Sequence, residues 1–272
     1  MLTPNQHLLI FTDLDGSLLD HDSYSWRAAQ PWLDRLAAAQ TPLIIATSKT
    51  AAEVAPLRQR LGLQQQPFIA ENGAQTVFPA GWREAPLHAG ATYPEICAIL
   101  AALRERTGFA FQGFADADDA RVAEWTGLSP AEAHLARRRA GSEPLRWSGT
   151  DEQLAAFRTL LALHDLRLTQ GGRFHHVMSR QVSKGEAARR LVKRLQHRRR
   201  RPLTTLALGD GPNDISLLQA CDLAVLIRGR QAKPLALPGE FPGRLYRTRR
   251  QGPQGWSEGL DHFLSNGGSD HE

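Results

Sequence analysis

The segment His7-Leu8-Leu9-Ile10-Phe11-Thr12 is apolar at consecutive positions and stops at Asp13. A half-exposed strand alternates apolar and polar residues; an unbroken run reads as a parallel strand covered by helices on both faces. The next segments agree. Residues 26–39 put Trp26, Ala29, Leu33 and Leu36 on one helical stripe, and Pro42 introduces a second apolar run, Leu43-Ile44-Ile45-Ala46-Thr47. Thr50 and Glu53 have capping-box spacing and open another helix carrying Val54, Leu57 and Leu61, with Pro56 either kinking it or delaying its start. Residues 68–70 form a third short strand, and Glu71-Asn72-Gly73 turns the chain into residues 74–78. The alternation of strand and helix predicts a parallel sheet between helices. It resumes at Ser183 and Glu186, another capping box, followed by a helix, a strand at 204–208, a helix with Ile215, Leu217 and Leu218, and a strand at 223–227.

About a hundred residues between these halves follow a different order. Capping pairs at Thr92/Glu95, Ser129/Glu132 and Thr150/Gln153 mark helices, while residues 144–147, 167–169 and 173–178 read as strands. Gln170-Gly171-Gly172 joins the last two as a hairpin. The fold expected is α/β, with a parallel-sheet core over 1–82 and 181–272 and an inserted α+β domain over 83–180 that covers the open end of the sheet.

Composition excludes some classes. No apolar run approaches the ~18 residues of a membrane span and the N-terminus lacks a signal-peptide pattern, so a soluble, cytoplasmic chain without membrane partners is expected. The two cysteines, Cys97 and Cys221, are too far apart for a CxxC metal or redox motif. The net charge of +5 raises a nucleic-acid reading. However, most of the excess lies in the run 197–201, which has no interleaved aromatic residue and falls at a helix end away from the acidic motifs. No nucleic-acid partner is expected. Arg137-Arg138-Arg139 reads as a solvated helix end, because three consecutive side chains cannot share one helical face.

The chemistry lies in the acids. Asp13-Leu14-Asp15-Gly16-Ser17 places two carboxylates at the carboxyl end of the first strand, where open α/β sheets bind ligands. Alone, this is equally an Asp-Gly turn. Gly209-Asp210-Gly211-Pro212-Asn213-Asp214 follows a later strand and offers oxygen ligands suited to Mg²⁺, although alone it could simply cap a helix. Thr47 and Ser48 end the second strand with hydroxyl donors, and Lys184 opens a helix where a cation opposes the dipole unless an anion is bound. Together, the two acidic clusters, a hydroxyl and a lysine form a site for a phosphoryl group and a hard cation.

In this order the motifs resemble those of the haloacid dehalogenase superfamily, and the position of the insert resembles the Cof-type branch. This implies a Rossmann-like core with a cap domain. Finer strings, Thr47-Ser48-Lys49-Thr50, Glu71-Asn72-Gly73, Tyr24-Ser25-Trp26, Ser142-Glu143-Pro144, Gly171-Gly172-Arg173-Phe174 and Gly255-Trp256, are similar to those of mannosyl-3-phosphoglycerate phosphatases. Ser48-Lys49 stands where sugar phosphatases of the wider branch show Gly-Arg. Ser17 departs from a commoner Thr, and Thr47-Ser48 from Ser-Ser; Thr47, which ends the apolar run as the superfamily hydroxyl does, is the hydroxyl that donates a hydrogen bond to phosphate, with Ser48 its neighbour.

The resemblance implies that Asp13 is the nucleophile and Asp15 the acid and base. Thr47 and Lys184 would hold the phosphoryl oxygens. Mg²⁺ would be held by Asp13, the backbone carbonyl of Asp15, and Asp210, with Asn213 and Asp214 supporting the metal or Lys184. For substrate binding the polar candidates are Ser48, Lys49, Asn72, Glu143, Arg173 and His175, each equally readable as a solvated surface or strand residue. A small anionic phosphorylated glycoside is the expected partner, acted on by a monomer or weak homodimer. A sugar phosphatase of other specificity, or a phosphomannomutase-like phosphotransferase, is the alternative.

Overall fold

The computed structural model describes residues 1–171, 174–230, 235–236, 238, 241 and 243–264. The chain divides into two compact units, Met1–Thr47 with Lys184–Glu272, and Ser48–Ser183. The first unit opens with β1 (Leu8–Thr12), α1 (Gln30–Ala38) and β2 (Leu43–Ile45). The second holds α2 (Ala51–Arg60), β3 (Phe68–Ala70), β4 (Gln75–Val77), β5 (Leu87–His88), α3 (Tyr93–Thr107), β6 (Phe111–Gly113), α4 (Asp119–Thr126), α5 (Pro130–Arg137), β7 (Ser142–Trp147), α6 (Asp151–Ala162), β8 (Leu166–Gly171) and β9 (Phe174–Ser179). The chain then completes the first unit with α7 (Lys184–Arg199), β10 (Thr204–Gly209), α8 (Ile215–Gln219), β11 (Leu223–Leu226), β12 (Arg244–Arg247) and α9 (Gly252–Phe263).

The sheet of the first unit is parallel throughout, in the order β12-β11-β10-β1-β2. Central β1 is buried at all five residues, as its unbroken apolar run requires. From β1 the chain moves outward to β2, but on returning it adds β10, β11 and β12 on the other side. The strand order therefore reverses between β1 and β10, and such a reversal opens a crevice at the carboxyl ends of the two strands. Thr12 pairs with Leu208 and with Ile45, so β1, β10 and β2 finish at one edge. The basic run lies at the other edge. Arg199 donates to the Gln6 carbonyl and Arg201 contacts the His7 ring, both ahead of β1.

In the second unit, β6-β7-β9-β8 form an antiparallel sheet. One face packs a cluster of Ile96, Leu100, Leu103, Phe111, Leu145, Phe157, Leu161, Leu166 and Val177, which joins α3 and α6 to the sheet. Full capping boxes open α2, α5 and α6 at Thr50/Glu53, Ser129/Glu132 and Thr150/Gln153. At Thr92 the Glu95 carboxylate accepts from both the backbone N–H and the hydroxyl. α2 begins at its cap and runs through Pro56 to Arg60, so the proline does not delay the start.

Three expectations are corrected. Residues 68–70 do not extend the parallel sheet. Glu71 and Asn72 take left-handed conformations, with φ of 50° and 54°, and fold β4 back onto β3, giving the antiparallel sheet β3-β4-β5. Residues 48–82 also group with the inserted unit and not with the core. They are tied there by the Thr50 hydroxyl donating to the Leu135 carbonyl, and by the Glu71 carboxylate accepting from Ala140 N, Gly141 N and Ser142 Oγ. Arg139, read as solvated, has a buried side chain. Its guanidinium donates to the carbonyls of Ser48, Ala136 and Ser142 and lies 3.6 Å from Glu71. The chain has left α5 before Arg139, so helical spacing does not govern where it points.

Candidate active site

β1 and β10 deliver their acids to the crevice between them. Asp13 follows Thr12 directly, and its backbone N–H donates to the Leu208 carbonyl at 2.9 Å, which continues the ladder by one residue. Asp210 follows Gly209, the last residue of β10. Lys184, fully buried at the first turn of α7, donates to Asp13 Oδ1 at 2.5 Å and to Asp214 Oδ1 at 2.6 Å. The other oxygen of Asp214 accepts from the backbone N–H groups of Asp210 and Gly211, at 3.1 and 3.0 Å. Asp214 thus ties the loop after β10 to Lys184. Ser17 Oγ donates to Asp210 Oδ1 at 3.0 Å, which links the two acidic motifs.

Two glycines make room for this arrangement. Gly16 has φ +83°, and a Cβ there would stand 2.6 Å from Asp210 Oδ2. At Gly209, a Cβ would stand 2.5 Å from Asp214 Cβ. The glycines of DxDG and GDG therefore let each carboxylate close over the neighbouring backbone.

The cluster is electrostatically uneven, with three carboxylates sharing one ammonium. Burial, then the Asp214 charge, raises the Asp13 carboxyl well above the usual carboxylate range, against the pull of Lys184. Burial and Asp214 likewise push Asp210 up to about 7, with Asp15 adding to the rise. Burial alone would lower the pKa of Lys184, but Asp13 and Asp214 outweigh it and hold the ammonium above the ordinary lysine value. Carboxylate oxygens of Asp13, Asp210 and Asp214 lie within 4.8 Å of one another. A hard divalent cation fits this donor set, since it would balance the surplus negative charge with oxygen ligands alone. Both Asp214 oxygens are engaged within the protein, so of these three acids Asp13 and Asp210 are the ones placed to hold such an ion.

The remaining candidates are placed as follows. Asp15, half-buried in the loop after Asp13, acts on Asp210 by its charge and lies outside the close carboxylate group. Thr47, buried, follows β2 at the same edge as Asp13. Asn213 is half-buried, and its Oδ1 lies over Gly211. Ser48, Lys49, Asn72, Glu143 and His175 belong to the second unit. There the Ser48 carbonyl is held by Arg139, and the Lys49 carbonyl by Glu71 N. Asn72 is buried in its left-handed turn. Glu143 is 1% exposed; its oxygens accept from Tyr93 Oη and Ala115 N, both at 2.8 Å. The register pairs Glu143 with Val177 and Leu145 with His175, which puts Glu143 and His175 on the face packed by α3 and α6. Arg173 lies outside the described residues.

Sequence reasoning missed Ser17 as a support of Asp210, although its spacing from Asp15 put it in the same loop. It also missed Gly185. A glycine inside a helix costs up to ~1 kcal/mol relative to alanine and needs a reason. Here the Ser216 backbone carbonyl occupies the space of a Cβ, so α7 and α8 approach closely enough to bring Lys184 to Asp214.

Fold and site together define an α/β enzyme core with a carboxylate-rich centre at a topological switch point. A family model for haloacid dehalogenase-like hydrolases matches residues 10–107 and 151–233. The chain belongs to this family. Solved structures share the fold. A Thermoplasma acidophilum protein is 17% identical, with 97% of this chain and 99% of that one covered and a TM-score of 0.67. A phosphatase of the haloalkanoate (HAD) enzyme superfamily from Bacteroides thetaiotaomicron is 18% identical, covering 97% and 98%, with a TM-score of 0.66. A sugar phosphatase of HAD subclass IIB is 19% identical, covering 94% and 98%, with a TM-score of 0.65. Among the described residues no helix is long and apolar enough to cross a membrane.

Proposed function

We propose that the chain is a Mg²⁺-dependent phosphatase of a small phosphorylated glycoside, acting in the cytoplasm as a monomer or weak homodimer. The observation that carries this reading is Lys184, buried between Asp13 and Asp214 with Asp210 alongside. A buried ammonium gripping one oxygen of a strand-end carboxylate fixes that carboxylate's direction and leaves its other oxygen available for attack.

In this reading Asp13 attacks phosphorus. A bond forms between its carboxylate oxygen and phosphorus while the bond to the sugar-side oxygen breaks, and Asp15 gives that leaving oxygen its proton. Water then attacks the aspartyl phosphate and loses a proton to Asp15, and the break of the Asp13 oxygen–phosphorus bond frees phosphate and regenerates both acids. Lys184 and Thr47 bind the phosphoryl oxygens. When bound by Asp13 and Asp210, Mg²⁺ would offset the repulsion between carboxylate and phosphate.

For the substrate we propose mannosyl-3-phosphoglycerate or a close glycosyl analogue. Thr47-Ser48-Lys49-Thr50 and Gly171-Gly172-Arg173-Phe174 support this, with Arg173 suited to a glycerate carboxylate. A sugar phosphatase of other specificity is the second reading, favoured by the subclass IIB neighbour's description. A phosphate-release screen with MgCl₂ over glycosyl-3-phosphoglycerates and common sugar phosphates tests both. We expect the highest kcat/KM on mannosyl-3-phosphoglycerate, without an isomeric sugar phosphate accumulating. A higher value on a simple hexose phosphate overturns the finer assignment, and no phosphate from any ester overturns the phosphatase reading.

A further inference from the structure

Gly255-Trp256 stood out in the sequence, yet Trp256 contributes nothing to the carboxylate centre directly. It is fully buried on α9, where Gly259 packs against Val225 with no space for a Cβ and so seats the helix close to the sheet. A buried indole N–H needs an acceptor. Trp256 finds one across 244 residues of sequence, donating to Thr12 Oγ1 at 2.9 Å. The Thr12 hydroxyl in turn donates to the Asp13 carbonyl at 2.6 Å. Since the N–H can only donate, each hydrogen bond in this chain has one direction. Asp13 is then held at three points: its N–H by the Leu208 carbonyl, its carbonyl by the Thr12 hydroxyl and, more weakly at 3.4 Å, by Leu18 N, and its carboxylate by Lys184.

We infer that Trp256 and Thr12 are positioning residues for Asp13, and that the indole N–H orients the Thr12 hydroxyl so that the Asp13 peptide stays in the geometry for in-line attack. This rests on the proposed role of Asp13 as nucleophile. Neither residue touches the reacting atoms. With the metal site saturated the effect belongs in kcat, because Trp256 and Thr12 reach the Asp13 carbonyl and not the phosphoryl oxygens.

Trp256→Phe keeps a buried aromatic ring and removes the N–H, while Thr12→Val keeps the shape and removes the hydroxyl. With para-nitrophenyl phosphate and saturating MgCl₂, each should lower kcat about tenfold with KM unchanged. The double variant should be no slower than Thr12→Val, and Thr12→Ser should stay near the native rate. Exchange of the Trp256 indole proton, followed by ¹⁵N NMR, reads the hydrogen bond itself and should be at least about tenfold faster in Thr12→Val than in the native chain. Native kcat in Trp256→Phe overturns the inference even if Tm falls, and so do additive losses in the double variant or unaltered indole exchange in Thr12→Val. A native chain that releases phosphate from no ester instead defeats the phosphatase reading, and the indole exchange still decides whether the pair exists.

Discussion

Both units bury carboxylates, but they satisfy them differently. In the second unit Glu71 is fully buried and accepts from two backbone N–H groups and the Ser142 hydroxyl, with the Arg139 guanidinium beside it. One acid meets one cation and several donors, and the result holds together the segments around Ser48, Glu71 and residues 140–142. In the first unit, three acids converge on one lysine. The side chains there supply one cation for three acids, and an uncompensated buried charge costs stability. The difference teaches that burial of charge alone does not mark a functional site; imbalance does, because it leaves a place for a cation and a nucleophile.

The comparison is broken most sharply at Asp13. Asp13→Asn removes one of the surplus charges, so phosphate release should fall at least about 10³-fold while Tm stays level or rises. Turnover assays beside thermal melts check this, and retained turnover would show that the surplus is not catalytic. Next, Lys184→Ala leaves the three acids without a cation and should cost about 3–5 kcal/mol in urea unfolding at pH 8, partly restored by MgCl₂. Glu71→Gln should also destabilise the chain, but MgCl₂ should restore nothing.

Glu143 sharpens the comparison from the second unit, being buried with neutral donors only in hydrogen-bond contact. Burial raises its pKa from the ordinary 4.5 to about 7, against the pull of Ala115 N and Tyr93. Folding therefore favours the protonated form. Its contribution is complete below pH 4.5 and is lost as pH rises through about 7. The loss is on the order of 3 kcal/mol, and Glu143→Gln should flatten that part of a stability–pH curve. The smallest effect is expected at Ser17. Ser17→Ala frees Asp210 Oδ1 and should weaken Mg²⁺ binding about tenfold, read by titrating activity with MgCl₂, with little change in Tm.

Much of this architecture was legible along the chain. The apolar runs located β1, β2, β10 and β11, and Ser/Thr-x-x-Glu/Gln spacing located the starts of α2, α5 and α6, because burial on both strand faces and capping are set by near neighbours. The acidic motifs were legible for the same reason, each being one short loop after one strand. Less visible were β3, whose partner was chosen by the left-handed turn at Glu71 and Asn72, and the boundary near residue 48, which depends on hydrogen bonds to residues 135–142. Arg139 was misread because a run of arginines looks solvated until a buried acid is found to meet it.

By itself the sequence determined the order of the motifs and the strand ends on which they sit, since a short apolar run that stops at a turn reads as a covered strand, and the first carboxylate after it falls at that strand's end. Only the tertiary structure decided which charges meet. Lys184 reaches Asp13 across 171 residues, and Trp256 reaches Thr12 across 244. Such pairings follow from strand order, register and helix packing, which bring distant segments into contact, and no local spacing encodes them.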